Sequence, residues 1–227
     1  MAQLIRGLDA RRVADNLARV RDEIGDEIQV LAAVKYVAAD EMGVLAEAGI
    51  TVVGENRAQD LEVKAQAHTE LTWDFIGHLQ SRKVKQVLPY VRWIHSVASD
   101  SALDQLGKHG SAETEVLVEV NVARDEGKSG VLPEDLDAFL ERAGRVGMVS
   151  VVGLMTMPPF TERAEDSRRW FAALAELAGE RGLRELSMGT SQDYAVAAQE
   201  GATIVRLGTS LYTSVAGESP KRANLPL

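Results

Sequence analysis

Cysteine is absent from all 227 residues, which removes disulfides, thiolate metal sites and cysteine nucleophiles together. Long apolar runs are missing too. None approaches the roughly 18 residues of a membrane span, so no membrane partner is expected. Positive charge is in deficit, with 25 Lys and Arg against 34 Asp and Glu and a formal net charge of −9. A binder of phosphate backbones needs a basic face to displace counterions, so nucleic acid is not an expected partner either. The acidic excess mainly favours solubility. The opening Met-Ala-Gln-Leu-Ile-Arg-Gly lacks the apolar core of a signal peptide, and Asp9, Arg11 and Arg12 follow at once, so the expected compartment is cytoplasmic. No Gly-x-Gly-x-x-Gly, P-loop, nucleophile elbow or His-Glu-x-x-His occurs. No repeat, low-complexity stretch or linker divides the chain, so one domain over residues 1–227 is expected.

What is present is an ordinary globular composition, 45% hydrophobic and 26% charged. Two periodicities alternate along it. Val13, Leu17, Val20 and Ile24 recur at helical spacing, and Gly25 stops that helix. Strand-length apolar runs then follow at Ile28–Val34, Thr51–Gly54, Thr72–Ile76, Trp93–Val97, Glu115–Val120, Val149–Met155, Glu185–Met188 and Thr203–Leu207. Helical patterns separate them at Asp40–Ala48, Ala58–His68, Ser81–Leu88, Pro133–Arg145, Ser167–Arg181 and Asp193–Glu200. Pro133 suits a first helical turn, and Asp100 is placed to cap the helix after the fourth strand. Eight strands alternating with helices in so short a chain predict an α/β fold, a single (β/α)8 TIM-type barrel with an extra N-terminal helix. A doubly wound open sheet is the alternative. The tail from Val215 has little periodicity and is expected to be loosely attached.

Active sites of such barrels lie where the strands end. The first strand ends at Lys35 and the second runs into Gly54-Glu55-Asn56-Arg57. The third runs into Gly77-His78-Leu79-Gln80-Ser81, and the sixth ends at Met155-Thr156-Met157. The seventh runs into Ser187-Met188-Gly189-Thr190-Ser191, and the eighth carries Arg206-Leu207-Gly208-Thr209-Ser210. Polar and small residues thus gather at one rim. A lysine ending an apolar strand is desolvated, which favours the nucleophilic amine that forms Schiff bases. Alternatively Lys35 snorkels to the rim or pairs with Glu55, and position alone does not separate these readings. Ser187 to Ser191, with hydroxyls and a glycine before a helix, resembles a phosphate cradle, and Gly208-Thr209-Ser210 offers a second loop.

Arg206 inside an apolar strand needs acceptors. The residues alone favour an ion pair across the barrel, for instance with Glu119, over a donor aimed at a ligand. No convincing metal set forms around the histidines. His78 reads as a rim hydrogen-bonding residue and His95 as structural, while His68 and His109 look exposed. Trp170 and Phe171 share a helical stripe with Leu174 and Leu177 that reads as core.

In order along the chain, these blocks resemble the YggS/PROSC family of pyridoxal phosphate homeostasis proteins. The matching stretches include Ala33-Val34-Lys35, Val53-Gly54-Glu55-Asn56-Arg57, Phe75-Ile76-Gly77-His78-Leu79-Gln80, Ile94-His95-Ser96-Val97, Leu186-Ser187-Met188-Gly189-Thr190-Ser191 and Val205-Arg206-Leu207-Gly208-Thr209. The likeness spans about residues 8 to 214. It implies a barrel like the N-terminal domain of alanine racemase, with pyridoxal 5′-phosphate held as an internal aldimine on Lys35. It further implies phosphate contacts from Ser191 and the backbone of Gly208 and Thr209, and Arg206 at the pyridine nitrogen. Asn56 and Met157 would line the pocket, with His78 at its edge, and Ser187 is counted with the cofactor-binding residues.

An arginine there leaves the ring nitrogen unprotonated and the ring a weaker electron sink. The resemblance therefore implies a carrier or regulator of vitamin B6 rather than a robust enzyme. Its partners would be the cofactor and the pyridoxal-phosphate-requiring apo-enzymes that receive it, and its state a monomer or weak dimer. A weak free-standing amino-acid racemase is the alternative, followed by a lysine Schiff-base aldolase. Tyr36 departs from the family, which commonly has a small or hydroxyl residue there. A tyrosine would alter the pocket, supply an acid/base group, or point into the helical layer. Thr213 stands where glycine is usual.

Overall fold

The computed structural model describes residues 4–111 and 114–213, so the expectation for the tail from Val215 lies outside the described residues. The eight strands are β1 (Gln29–Ala33), β2 (Val52–Glu55), β3 (Thr72–Phe75), β4 (Trp93–Val97), β5 (Glu115–Glu119), β6 (Ser150–Met155), β7 (Glu185–Thr190) and β8 (Ile204–Leu207). Each pairs in parallel with the next, and β8 returns to β1 through Gln29↔Ile204 and Leu31↔Arg206. That closing pair makes the sheet a barrel and excludes the open alternative.

The helices lie outside. They are α1 (Ala10–Ile24), α2 (Met42–Glu47), α3 (Ala58–Ala67), α4 (Val84–Val87), α5 (Asp100–His109), α6 (Leu136–Val146), α7 (Arg168–Glu180), α8 (Tyr194–Gln199) and α9 (Thr209–Tyr212). α1 carries the expected stripe of Val13, Leu17 and Val20, and Gly25 at φ 88° receives the chain as it leaves the helix. After β8 the described chain forms only the short α9, and α1 packs beside α9, α8 and α2. The extra N-terminal helix therefore completes the outer ring. Buried Asn16 fastens it by donating to the carbonyls of Leu211 and Thr213 at 2.8 and 3.1 Å.

Strand side chains alternate between the lumen and the helical layer. The outward set, such as Val30, Ala32, Val53, Trp73 and Phe75, joins one large core with the helices. A separate small cluster of Leu31, Val52 and Ile204, backed by Ile76 and Trp93, fills the lumen. Gly54 has the lumen's parity, and a Cβ there would stand 2.5 Å from Leu31 Cδ2. Several boundaries differ from expectation. β1 stops at Ala33, so Lys35 lies in the following turn rather than at the strand's end. β7 runs on to Thr190, and the cap of α5 is Ser99, whose hydroxyl accepts from Ala102 N–H; Asp100 begins the helix instead. Pro133 opens a 3-10 turn that leads into α6.

Candidate functional site

Four polar side chains of lumen parity meet inside the barrel: Asp74 on β3, His95 on β4, Ser187 on β7 and Arg206 on β8. The Arg206 guanidinium donates through Nη1 to the Ser187 carbonyl and hydroxyl, both at 2.6 Å. Nη2 donates to the Thr156 carbonyl at 2.9 Å and to Met157 Sδ at 3.2 Å. The Ser187 hydroxyl lies 2.9 Å from His95 Nδ1, and His95 Nε2 lies 3.2 Å from Asp74 Oδ2. Arg92 closes the row with two bonds to Asp74, at 3.1 and 2.6 Å.

Burial disfavours charge on Arg206 and lowers its pKa to about 10, with Glu119 and Asp193 opposing from a distance. It remains a cation at neutral pH. Burial likewise lowers the His95 pKa below its usual value against the pull of Asp74. For Asp74 burial pushes upward, but hydrogen bonds from His95 and Arg92 outweigh it and hold the carboxyl below the usual range. His95 is therefore neutral and Asp74 ionised. The ion pair between Arg206 and Glu119 does not form. Glu119 accepts instead from Ser129 Oγ at 2.8 Å, and Arg206 has no carboxylate partner among the described residues.

At the mouth above this row, the loops after β7 and β8 are tied by Ser191. Its Oγ receives Gly208 N–H at 3.0 Å and Ser210 N–H at 3.2 Å, and lies 2.9 Å from Ser210 Oγ. Gly189, at φ 88°, lets β7 end there: a Cβ would lie 2.5 Å from Ala197 Cβ. The cradle expected over Ser187–Ser191 is thus carried by its far end, because Ser187 is wholly buried inside β7. Thr190 is occupied locally, its N–H and hydroxyl both donating to Asp193.

Across the mouth, Glu55 and Lys64 form a buried pair at 2.6 Å. Glu55 Oε1 also accepts the N–H groups of Asn56 and Arg57, and Lys64 Nζ donates to the Val34 carbonyl at 2.8 Å. This pair pins the backbone on either side of the rim. Glu55 is therefore taken by Lys64 and not by Lys35. Gly77 packs against the Asn56 backbone, where a Cβ would come 2.1 Å from the Asn56 carbonyl oxygen. The Asn56 Oδ1 atom is buried with no hydrogen-bond partner among the described residues.

Lys35 is exposed, so the desolvation expected of it is not what its position provides. Its ammonium rests over the Tyr36 ring, 4.7 Å from the centroid, and that contact places Tyr36 at the rim rather than in the helical layer. Met157 is 45% exposed and Thr209 is exposed. His78 is exposed and makes no protein hydrogen bond among the described residues. His95 is wholly buried and joins Arg206 through Ser187. His68 is half-buried, lying 3.0 Å from Glu70 Oε1 and 2.9 Å from the Ala39 carbonyl. Among the described residues, no three His, Asp or Glu stand together to hold a metal, and no helix is long and apolar enough to cross a membrane.

Sequence reasoning gave no role to Asp74, Arg92 or Lys64. Two of them carried a signal. Asp74 is a lone ionisable residue in Thr-Trp-Asp-Phe, and Lys64 falls on the buried stripe of Ala58, Leu61 and Ala65.

The family pattern described as "Alanine racemase, N-terminal domain" matches residues 8–215. The chain is 40% identical over 195 residues to the pyridoxal phosphate homeostasis protein of Aquifex aeolicus, covering 81% of this chain and 86% of that one. It is 35% identical over 218 residues to the protein of the same name from Pseudomonas aeruginosa, covering 88% and 94%. Among solved structures, PipY of Synechococcus elongatus superposes with a TM-score of 0.79 at 32% identity, covering 88% of this chain and all of PipY. PipY has been solved both without pyridoxal phosphate and with it bound.

Proposed function

The chain belongs to the family of pyridoxal phosphate homeostasis proteins, built on the alanine racemase N-terminal domain, and from that membership we propose that it binds pyridoxal 5′-phosphate at the mouth of its barrel and serves the cofactor's homeostasis. The observation that carries the reading is a pair of polar groups at one end of the barrel that the protein satisfies only in part. Asn56 Oδ1 is a buried acceptor without a donor, and Arg206 is a buried cation without a carboxylate. Groups so placed are costly in a core and find partners in a ligand that is polar at several points.

The remaining rim residues fit the same group. Around Ser191, two backbone N–H groups and the Ser210 hydroxyl converge on one oxygen that has two lone pairs. Donors exceed acceptors there, as suits a phosphate. Ser191 with the backbone of Gly208 and Thr209 would hold the phosphate, and Arg206 would face the ring nitrogen. Asn56 and Met157 would line the ring, with His78 at the edge. When bound, the cofactor supplies an aldehyde that condenses with a primary amine, and Lys35 is the amine the rim offers.

Arg206 sets the character of the site. A fixed guanidinium donates a hydrogen bond to a ring nitrogen without transferring its proton, which keeps the ring a modest electron sink. Tyr36 packs under the Lys35 side chain, and Glu55, Lys64 and Val34 hold the adjacent backbone. This arrangement favours retaining the cofactor, for carriage to apo-enzymes that need it, over turning substrate over. The test is the visible absorbance of the purified protein after incubation with pyridoxal phosphate, beside Lys35→Ala. A band in the wild type that borohydride abolishes and the variant lacks is the expected result. A wild type that stays colourless in excess cofactor overturns the reading.

A further inference from the structure

With His95 neutral, the row of bonds inside the barrel has one consistent polarity. A guanidinium has no acceptor, so Arg206 Nη1 must donate to Ser187 Oγ. Ionised Asp74 has no proton to give, so His95 Nε2 carries the ring hydrogen, and in the neutral ring Nδ1 is bare and accepts the single hydroxyl hydrogen of Ser187. The ring hydrogen sits on Nε2 and points at Asp74 Oδ2. Asp74 also accepts Arg92 Nε, Arg92 Nη2 and the Trp93 N–H, so its two oxygens receive four donors. The other neutral tautomer would face the carboxylate with a lone pair and leave the Ser187 hydrogen without His95 as its acceptor. Inside the barrel that costs one hydrogen bond at the Asp74 carboxylate and one at the Ser187 hydroxyl.

Resting on the cofactor reading above, we propose that Asp74, His95 and Ser187 are positioning residues whose one-way row of hydrogen bonds fixes the Arg206 guanidinium as a donor toward the cofactor ring. Stability alone does not explain the row. A core built for stability would pair a buried arginine with a carboxylate or replace it by an apolar side chain. Here the carboxylate is spent three residues away along the row, on Arg92 and His95, and Arg206 meets only neutral acceptors: Ser187 O, Ser187 Oγ, Thr156 O and Met157 Sδ. Its Nε has no hydrogen-bond partner among the described residues. The charge is held in place without being neutralised. Because drawing the Ser187 hydrogen to His95 turns the hydroxyl's lone pairs toward Arg206, the orientation of the arginine is coupled to the tautomer of a histidine it does not touch.

Two measurements test this. Long-range nitrogen–proton NMR of the cofactor-free protein at pH 7 should show His95 as the Nε2–H tautomer; an Nδ1–H tautomer or an imidazolium overturns the row outright, whatever the protein binds. Asp74→Asn and Ser187→Ala are then titrated with pyridoxal phosphate. Each should weaken binding about tenfold, the effect of losing one hydrogen bond to a charged group. Each should also shift the wavelength of the bound band, which a change in scaffold stability alone does not do. Variants that fold by circular dichroism and match the wild type in both affinity and band position would sink the proposal. A wild type that binds no pyridoxal phosphate would instead sink the cofactor reading, and the NMR result would tell the two failures apart.

Discussion

Lys35 and Arg206, the two residues assigned to opposite ends of one ring, are built in opposite ways. Arg206 lies in a strand, buried, with four acceptors around its two terminal nitrogens. Lys35 lies in a turn, exposed, with its ammonium resting on the Tyr36 ring and no protein hydrogen bond among the described residues. Yet the backbone at Lys35 is not loose. Tyr212 Oη donates to the Ala33 carbonyl at 3.2 Å, Lys64 to the Val34 carbonyl at 2.8 Å, and Ile5 N–H to the Tyr36 carbonyl at 2.6 Å. The barrel thus fixes Arg206 down to its atoms, while for Lys35 it fixes only the point of attachment. Orientation of the arginine is settled at folding, and ordering of the lysine's rotamers is left to ligand binding.

The largest effect should come from cutting the backbone anchor of Lys35. Lys64→Met leaves Glu55 buried and unpaired, and breaking such a pair costs about 3–5 kcal/mol. Chemical denaturation should show a loss of that size. The double change Lys64→Met with Glu55→Gln should recover much of it, since the uncompensated charge is then gone. If the single variant is as stable as the wild type, the rim is not held by this pair.

How much of this contrast could be read in the sequence differs between its two sides. The barrel was legible because period-2 runs alternate with period-3.6 runs, and the fourth strand, Trp93–Val97, falls where its pattern places it. The rim was legible as a set of residues, since Lys35, Asn56, Ser191, Arg206, Gly208 and Thr209 all follow or end strands. Lys35 was misjudged because the strand closes at Ala33, and a shift of that size moves a side chain from the sheet into a turn. The Asp74–His95–Ser187 row was not legible, because it joins β3, β4 and β7 across the lumen, and a register across a closed barrel is not written in any one strand. Ser187 was assigned to a phosphate cradle for the same reason: its neighbours in sequence are loop residues, while its neighbours in space are His95 and Arg206.

The buried side of the comparison should also respond to pH. His95 is held neutral, its pKa lowered below 6.5 by burial, while the unfolded chain takes up a proton near 6.5. Its contribution to stability is therefore present above that value and is lost as pH falls. The slope from one such group is at most about 1.4 kcal/mol per pH unit. Asp74, Arg92 and Arg206 are the charged groups that act on the ring. The carboxylates whose pKa is lowered on folding, Asp74 among them, start from 4.5 or below, so their contribution is lost at lower pH than the histidine's. Melting temperature should fall more steeply from pH 6.5 to 5 in the wild type than in His95→Gln, and equal slopes would mean that His95 is not held neutral.

Asn56 divides cost from purpose on a smaller scale. Its Oδ1 is buried without a donor, which ordinarily costs about 1–3 kcal/mol. Asn56→Ala removes that cost along with some packing, so the cofactor-free protein should be no less stable, and up to about 1 kcal/mol more stable. Binding of pyridoxal phosphate should weaken at the same time. A variant that loses stability without losing affinity would assign Asn56 to the scaffold.

The smallest expected effect is at Lys35 itself. Without cofactor, its side chain contributes one exposed cation–π contact to Tyr36 and no hydrogen bond among the described residues. Lys35→Ala should therefore change the stability of the cofactor-free protein by no more than about 0.5 kcal/mol, the usual range for a surface substitution. With cofactor, the wild type should be stabilised by mass action and the variant much less, so the two melting curves separate only when pyridoxal phosphate is added. That pattern would mark a residue held for its chemistry alone. A large loss in the cofactor-free state would mean that the lysine supports the rim as firmly as Arg206 fills the lumen, and the contrast between the two ends of the site would not stand.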